Sequence, residues 1–320
     1  MLMTRLMFLG CCCIALSVNA QRVLPAKEVA KAVDSAAALI RRHYVFADKG
    51  DRIARHLEEK YKTGAFRQLS DWKSFDSLGT LLLRQFSGDG HLYLRYNPDK
   101  VQQLLSQQQP RGVDDFFHSK KAREQNYGFR EVKVLDGNTG YIKMDQINIS
   151  DESLPVLQAA MALVSRTDAL IIDLRDNGGG GSEIKPVLES YFLPGALPLL
   201  EFYSRTGEKE IDSSITLAPG LPYHGGLYIL VNKRTASAAE AFAYVMQAQH
   251  RAKIIGQSSA GAANHNEYFI VNKEVFISIS AAAPALPGTQ QSWEATGVQP
   301  DIITAPGEEI QEVLKVVGKK

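Results

Sequence analysis

Ser237 lies between a strongly apolar run, Leu227–Val231, and a stretch of helix formers that opens Ala238-Ala239-Glu240 and continues to about Gln249. That spacing predicts strand, tight turn and helix, with Ser237 at the helix N-terminus. A hydroxyl there faces free backbone N–H groups and the positive end of the helix dipole, a setting that stabilises an oxyanion. The same residues also spell a capping box, Ser237-x-x-Glu240, in which the serine needs only to cap. A second feature is Asp173-Leu174-Arg175-Asp176-Asn177 running into Gly178-Gly179-Gly180-Gly181 after the apolar Ala169–Ile172. Glycines let N–H groups converge on an anion, or simply make a turn. The block lacks the Lys-Ser/Thr ending of a phosphate loop and the spacing of a dinucleotide fingerprint. Asp173 and Arg175 read as a pair bracing the loops. A third is His91, in the glycine-flanked Ser87-Gly88-Asp89-Gly90-His91, which is either structural or a general base reaching a cleft. The fourth is Glu294 in Trp293-Glu294-Ala295-Thr296-Gly297, either surface charge or the acid that orients a histidine.

The elements that would carry these residues fall into two groups. Helical spacing of Val29, Val33, Ala36, Leu39 and Ile40 predicts a helix from Leu24 to about Tyr44. Further helices are expected over 51–63 and 71–86, the last capped by Ser70 or Asp71. A strand at 91–96 follows, then a polar, Gln-rich helical linker and surface connection over 97–126. From Tyr127 onward strands and helices alternate. Strands are expected at 129–135, 141–144, 169–174, 199–204, 227–231, 254–255, 268–271 and 275–279, with helices at 154–165, 183–192 and 238–249. Such alternation argues for a layered α/β core.

Composition excludes some partners. The chain has 320 residues, 45% hydrophobic and 22% charged, as a folded globular protein does. Lys+Arg number 36 against 35 Asp+Glu, so no basic excess argues for nucleic acid or an anionic membrane. Arg5, an apolar run over 6–18 and Val18-Asn19-Ala20 read as a secretory signal peptide, too short to span a membrane. All 3 cysteines, Cys11, Cys12 and Cys13, lie inside it, so the exported chain is expected to carry neither disulfide nor reactive thiol. Lipid attachment at Cys11 is the alternative end for that segment. The domain reading is therefore signal peptide 1–20, helical domain 21–96, linker 97–126, core 127–306 and a C-terminal helix or tail 307–320.

In order and setting, Gly140-Tyr141-Ile142, the Asp173–Gly180 block, Thr235–Glu240 and Gly297-Val298-Gln299-Pro300-Asp301 resemble blocks of the C-terminal processing (tail-specific) serine peptidases. The helical opening and Asp89-Gly90-His91 are similar to the branch shared by the tricorn protease core and the interphotoreceptor retinoid-binding protein. The resemblance runs from about Val29 to Pro306. It implies a crotonase-like α/β core and hydrolysis of peptide bonds in a peptide or unfolded protein, without metal or cofactor. It puts Ser237 on the nucleophile, His91 on the general base and Glu294 on the acid that completes the site. The N–H groups of Ala238 and of Gly179 or Gly178 fall on the oxyanion hole, with Glu240, Asp173 and Arg175 in support.

Three departures accompany it. Ala262 stands where tail-specific enzymes carry a catalytic lysine, which leaves the histidine-based site. Gly90 stands where tricorn-type sites carry a serine. The 97–126 segment has no room for the PDZ domain that many members insert. The rival reading is a non-catalytic binder of apolar ligands on the same scaffold, as the retinoid-binding relatives are; retention of Ser, His and Glu together favours the enzyme.

Overall fold

The computed structural model describes residues 23–106 and 114–318. The signal-peptide reading, the Cys11 alternative and the end of the Gln-rich stretch fall outside the described residues.

The chain opens with α1 (Ala26–His43), α2 (Ala47–Lys62) and α3 (Trp72–Ser87). Val29, Val33, Ala36 and Ile40 form the buried stripe of α1. Asp71 caps α3, its carboxylate accepting the Ser74 N–H at 2.8 Å. Gly88, at φ 69°, ends that helix and turns the chain towards β1 (Tyr93–Tyr96). Three short helices follow: α4 (Pro98–Ser106), α5 (Asp114–His118) and α6 (Lys120–Glu124). Then come β2 (Phe129–Leu135), β3 (Thr139–Met144), β4 (Ile147–Ile149), α7 (Leu154–Val164), β5 (Ala169–Asp173), β6 (Gly180–Ser182) and α8 (Val187–Ser190). The remainder is β7 (Pro198–Ser204), β8 (Lys209–Ser213), β9 (Gly226–Val231), α9 (Ala238–Ala248), β10 (Ala252–Gly256), β11 (His265–Ile270), β12 (Val275–Ala285), β13 (Ile302–Ile303) and α10 (Glu309–Val317).

The fold is mixed α/β. A six-stranded sheet has the order β13-β10-β9-β5-β3-β2, parallel except for the β2–β3 hairpin. Side chains alternate across it. Leu170, Ile172, Ile229 and Ile254 pack with residues of α7 and α9 on one face. Ala169, Ile171, Tyr228 and Ile255 pack with Val313 of α10 on the other. Both faces are covered, which is why β5 and β9 read as unbroken apolar runs. Because β5 and β9 are parallel and in register (Ala169 beside Gly226), the loops that follow them leave the sheet at the same edge. Those two loops carry the glycine block and Ser237.

A second sheet, β1-β12-β7-β8 with β11 on β12, lies under the N-terminal helices. Val275, Ile277 and Ile279 of β12 share a core with Val33, Ile40, Leu57 and Phe75. The helical layer therefore completes its core with strands from the far end of the chain.

The helix expected over 183–192 is not formed. Only the single turn α8 is helical there, and Gly180–Ser182 is extended beside β4. Pro186 removes an N–H inside the expected helix, and its ring would clash with the preceding turn. β4 and β8, short and polar or mixed, are strands that the alternation did not reveal.

Candidate active site

The turn between β9 and α9 is fixed before Ser237 is reached. Thr235, fully buried, donates from Oγ1 to the Leu174 carbonyl at 2.8 Å and accepts the Asn232 N–H at 3.0 Å. The Ala236 N–H donates to the Asn177 carbonyl at 2.9 Å, stitching this turn to the glycine loop. Ser237 then adopts φ 54°, ψ −125°, a region that L-residues rarely occupy. Such strain at a strand-to-helix turn lifts a hydroxyl clear of the sheet.

The capping-box reading is half of what is seen. Glu240 reaches back to the Ser237 N–H at 2.8 Å. The serine lies within capping reach of the Glu240 amide, but its hydroxyl makes no full cap hydrogen bond. Glu240 does more than cap. Fully buried, it also accepts from the Gly261 N–H at 2.7 Å, the Ala262 N–H at 2.9 Å and the Ser259 hydroxyl at 2.5 Å. One carboxylate thus clamps the Ser237 turn to the 259–262 loop.

Gly179 closes against the serine from the other side. At φ +101°, a Cβ on it would lie 2.6 Å from Ser237 Cβ and 2.8 Å from the Ala236 carbonyl, so only glycine fits. Its N–H donates to Asn177 Oδ1 at 2.9 Å, and Asn177 Nδ2 donates to the Met144 carbonyl at 2.8 Å. Among the described residues the N–H groups of Gly178 and Ala238 make no hydrogen bond.

His91 sits on a turn pinned at three points. Arg84 Nη2 donates to the Gly90 carbonyl at 2.6 Å, the His91 N–H donates to Asp89 Oδ1 at 2.9 Å, and Ser278 Oγ donates to the His91 carbonyl at 2.6 Å. Burial pushes the imidazole below its ordinary value; the Asp89 charge opposes this, while His265 and Arg84 add to it. Nδ1 is buried without a partner.

Glu294 lies on a loop held to α9 by Trp293, whose ring packs on Tyr244 with centroids 4.9 Å apart. Its Oε2 accepts the Ala263 N–H at 2.7 Å and the Asn264 N–H at 3.1 Å, while Oε1 is buried without a partner. Burial, with the Asp89 charge added, pushes this carboxyl up to about 7.

The segments that carry the three residues are linked through shared neighbours. Ser237 and Ala262 bond the same Glu240 oxygen. A Cβ on Gly90 would stand 3.7 Å from the Ala262 side chain, so the histidine turn packs on that residue. Asn264, which donates to Glu294, also donates to Asp89 at 3.5 Å. No hydrogen bond among the described residues joins the His91 ring to Ser237 or to Glu294.

Asp173 and Arg175 brace the sheet edge. Burial pushes the Asp173 carboxyl up, yet hydrogen bonds from Arg175 and Tyr141 hold it below the usual carboxylate range. Arg175 donates to Asp173 at 2.6 and 2.9 Å and to Glu309 of α10 at 2.6 Å. Neither residue bonds Ser237. Sequence reasoning assigned no role to Asp89, Asn177 and Thr235, all fully buried here. Polar residues beside glycines are ordinary in exposed turns, so only their burial marks them.

The model of peptidase family S41 matches residues 138–304, just over half of the chain. The N-terminal domain of peptidase S41 in eukaryotic IRBP matches residues 15–128. A tail-specific protease of Haemophilus influenzae is 35% identical over 98 residues, 30% of this chain and 13% of that protein. The chloroplastic carboxyl-terminal-processing peptidase 2 of Arabidopsis thaliana is 29% identical over 166 residues, 51% of this chain and 31% of that protein. The chain thus spans less than a third of the length of either relative. Among solved structures, a putative peptidase from Parabacteroides merdae superposes with a TM-score of 0.61 at 17% identity, covering 91% of this chain and 96% of that one. The tricorn protease superposes with a TM-score of 0.58 at 12% identity, covering 92% of this chain and 36% of that one. At such identities these two likenesses speak for the fold. With residues 138–304 matched by its model, the chain belongs to peptidase family S41, a family of serine-type peptidases.

Proposed function

We propose that this chain is an exported serine peptidase that hydrolyses peptide bonds of polypeptide substrates, on a crotonase-like core. The observation that carries the reading is Ser237 itself: a strained serine at the head of α9, followed by the unengaged N–H of Ala238 and packed against Gly179, whose neighbour Gly178 also has an unengaged N–H. In this reading Ser237 Oγ attacks the scissile carbonyl carbon and its proton passes to His91 Nε2. The carbonyl oxygen becomes an oxyanion held by the Ala238 and Gly178 N–H groups. Gly179, whose N–H is engaged by Asn177, allows the close approach.

Collapse of the tetrahedral intermediate breaks the C–N bond, and His91 returns the proton to the departing amine. Water then repeats the sequence on the acyl-serine, releasing the carboxylate and restoring Ser237. Glu294 Oε1 and His91 Nδ1, both buried and unpartnered, would satisfy each other in one hydrogen bond, which orients the ring with Nε2 towards the serine. Export is read from the N-terminal segment. No helix among the described residues is long and apolar enough to cross a membrane.

A fluorophosphonate probe and dye-quenched casein test the reading together. The wild-type chain is expected to be labelled at Ser237 and to cleave casein, and Ser237→Ala to do neither. Undiminished cleavage by Ser237→Ala would overturn the mechanism. Absence of labelling in the wild type, with binding of an apolar fluorophore, would make the chain a carrier instead.

A further inference from the structure

We infer that Asp89 is a positioning residue of this site: its carboxylate fixes the His91 turn to the core and supplies the standing negative charge that supports the imidazole when it takes a proton. The inference rests on the Ser237–His91 reading above and adds a residue to it.

Asp89 is fully buried, and its two oxygens serve three segments of the chain. Oδ1 accepts the His91 N–H at 2.9 Å. Oδ2 accepts the Tyr44 hydroxyl at 2.9 Å, at the end of α1, and Asn264 Nδ2 at 3.5 Å, in the loop whose amides hold Glu294. Burial and the Asp89 charge both push the Tyr44 phenol far up, so it stays a neutral donor. A carboxylate that receives donors on both oxygens and gives none behaves as an ionised acceptor. The His91 N–H is thereby taken by Asp89 and its carbonyl by Ser278, which leaves the ring only its side-chain torsions.

Facing His91 are Arg84 from α3, His265 from β11 and the uncharged Ser278 from β12, besides Asp89 on its own turn. Arg84 and His265 both disfavour an imidazolium, as does burial, and Asp89 opposes all three. Glu294 is poorly suited to that task in the resting state, because burial and Asp89 itself keep its carboxyl partly protonated near neutral pH. Two carboxyl groups therefore divide the work: Asp89 fixes the turn and favours the imidazolium, and Glu294 is free to orient the ring.

The test is the rate at which fluorophosphonate labels Ser237, followed across pH, with casein hydrolysis alongside. Asp89→Asn keeps the shape and removes the charge. It is expected to slow labelling and kcat by about tenfold or more with little change in KM. It should also move the acid limb of the rate profile to lower pH by about one pH unit. Tyr44→Phe removes one donor and leaves the charge, so it should slow labelling several-fold without moving the acid limb. A merely structural Asp89 would change the amount of folded protein and leave that limb in place.

An Asp89→Asn chain that labels within twofold of wild type, or whose acid limb does not move, overturns the inference. Should Asp89→Asn not fold, wild-type labelling by Tyr44→Phe overturns it equally. Labelling that persists in Ser237→Ala would instead sink the underlying serine mechanism, a result independent of either Asp89 variant.

Discussion

Ser237 holds its hydroxyl in place at a conformational cost. At φ 54°, ψ −125° the backbone suits glycine better than any L-residue. Ser237→Gly is therefore expected to be more stable than Ser237→Ala by about 1 kcal/mol, with both inactive. Urea denaturation of the two variants measures this, and equal stabilities would mean that the turn is not strained. Glu294 makes a second residue-level expectation. Its carboxyl is held at about 7, above the ordinary 4.5, so the folded chain binds that proton more tightly than the unfolded chain does. The stability this contributes is complete below about 4.5 and is lost as pH rises to 7 and beyond. Relative to wild type, Glu294→Gln should gain stability steadily between those values; a difference that does not vary with pH would contradict the assignment.

At the scale of elements, α9 is held by its first turn. Glu240, fully buried, joins that turn to the 259–262 loop through three backbone N–H groups and one hydroxyl. Glu240→Gln places an amide N–H₂ against donors, and is expected to cost roughly 2 kcal/mol or more while also lowering activity. Thermal melting and casein hydrolysis measured together check both, and an active variant of wild-type stability would contradict this role. The strand–turn–helix around Ser237 was legible because an apolar run, small residues and helix formers follow one another without ambiguity. The 183–192 segment was not, since Pro186 interrupts the expected helix and only Val187–Ser190 is helical. The candidate residues could be picked out by type and order alone. The Asp89 and Asn177 networks could not, because their meaning lies in burial produced by segments distant in the chain.

Across the whole molecule, the helical layer that carries His91 is built onto strands that follow the core, and the proposed site depends on that packing. Val275, Ile277 and Ile279 are buried against α1–α3 residues, and β1 pairs with β12. The domain reading 21–96 and 127–306 thus divides the sequence at a place where the packing is continuous. A fragment of residues 127–306 would leave that face of β12 in water, and is expected to bind a hydrophobic dye or aggregate where the full chain does not. A soluble, dye-negative fragment would show that the layers fold separately. The proposed reaction turns on one proton transfer, from Ser237 to His91. The most direct measurement is the rate of Ser237 phosphonylation by fluorophosphonate in wild type and in His91→Ala, at matched circular dichroism. The expected result is a fall of about a hundredfold or more on loss of the imidazole; an unchanged rate would contradict the assignment of His91 as the base.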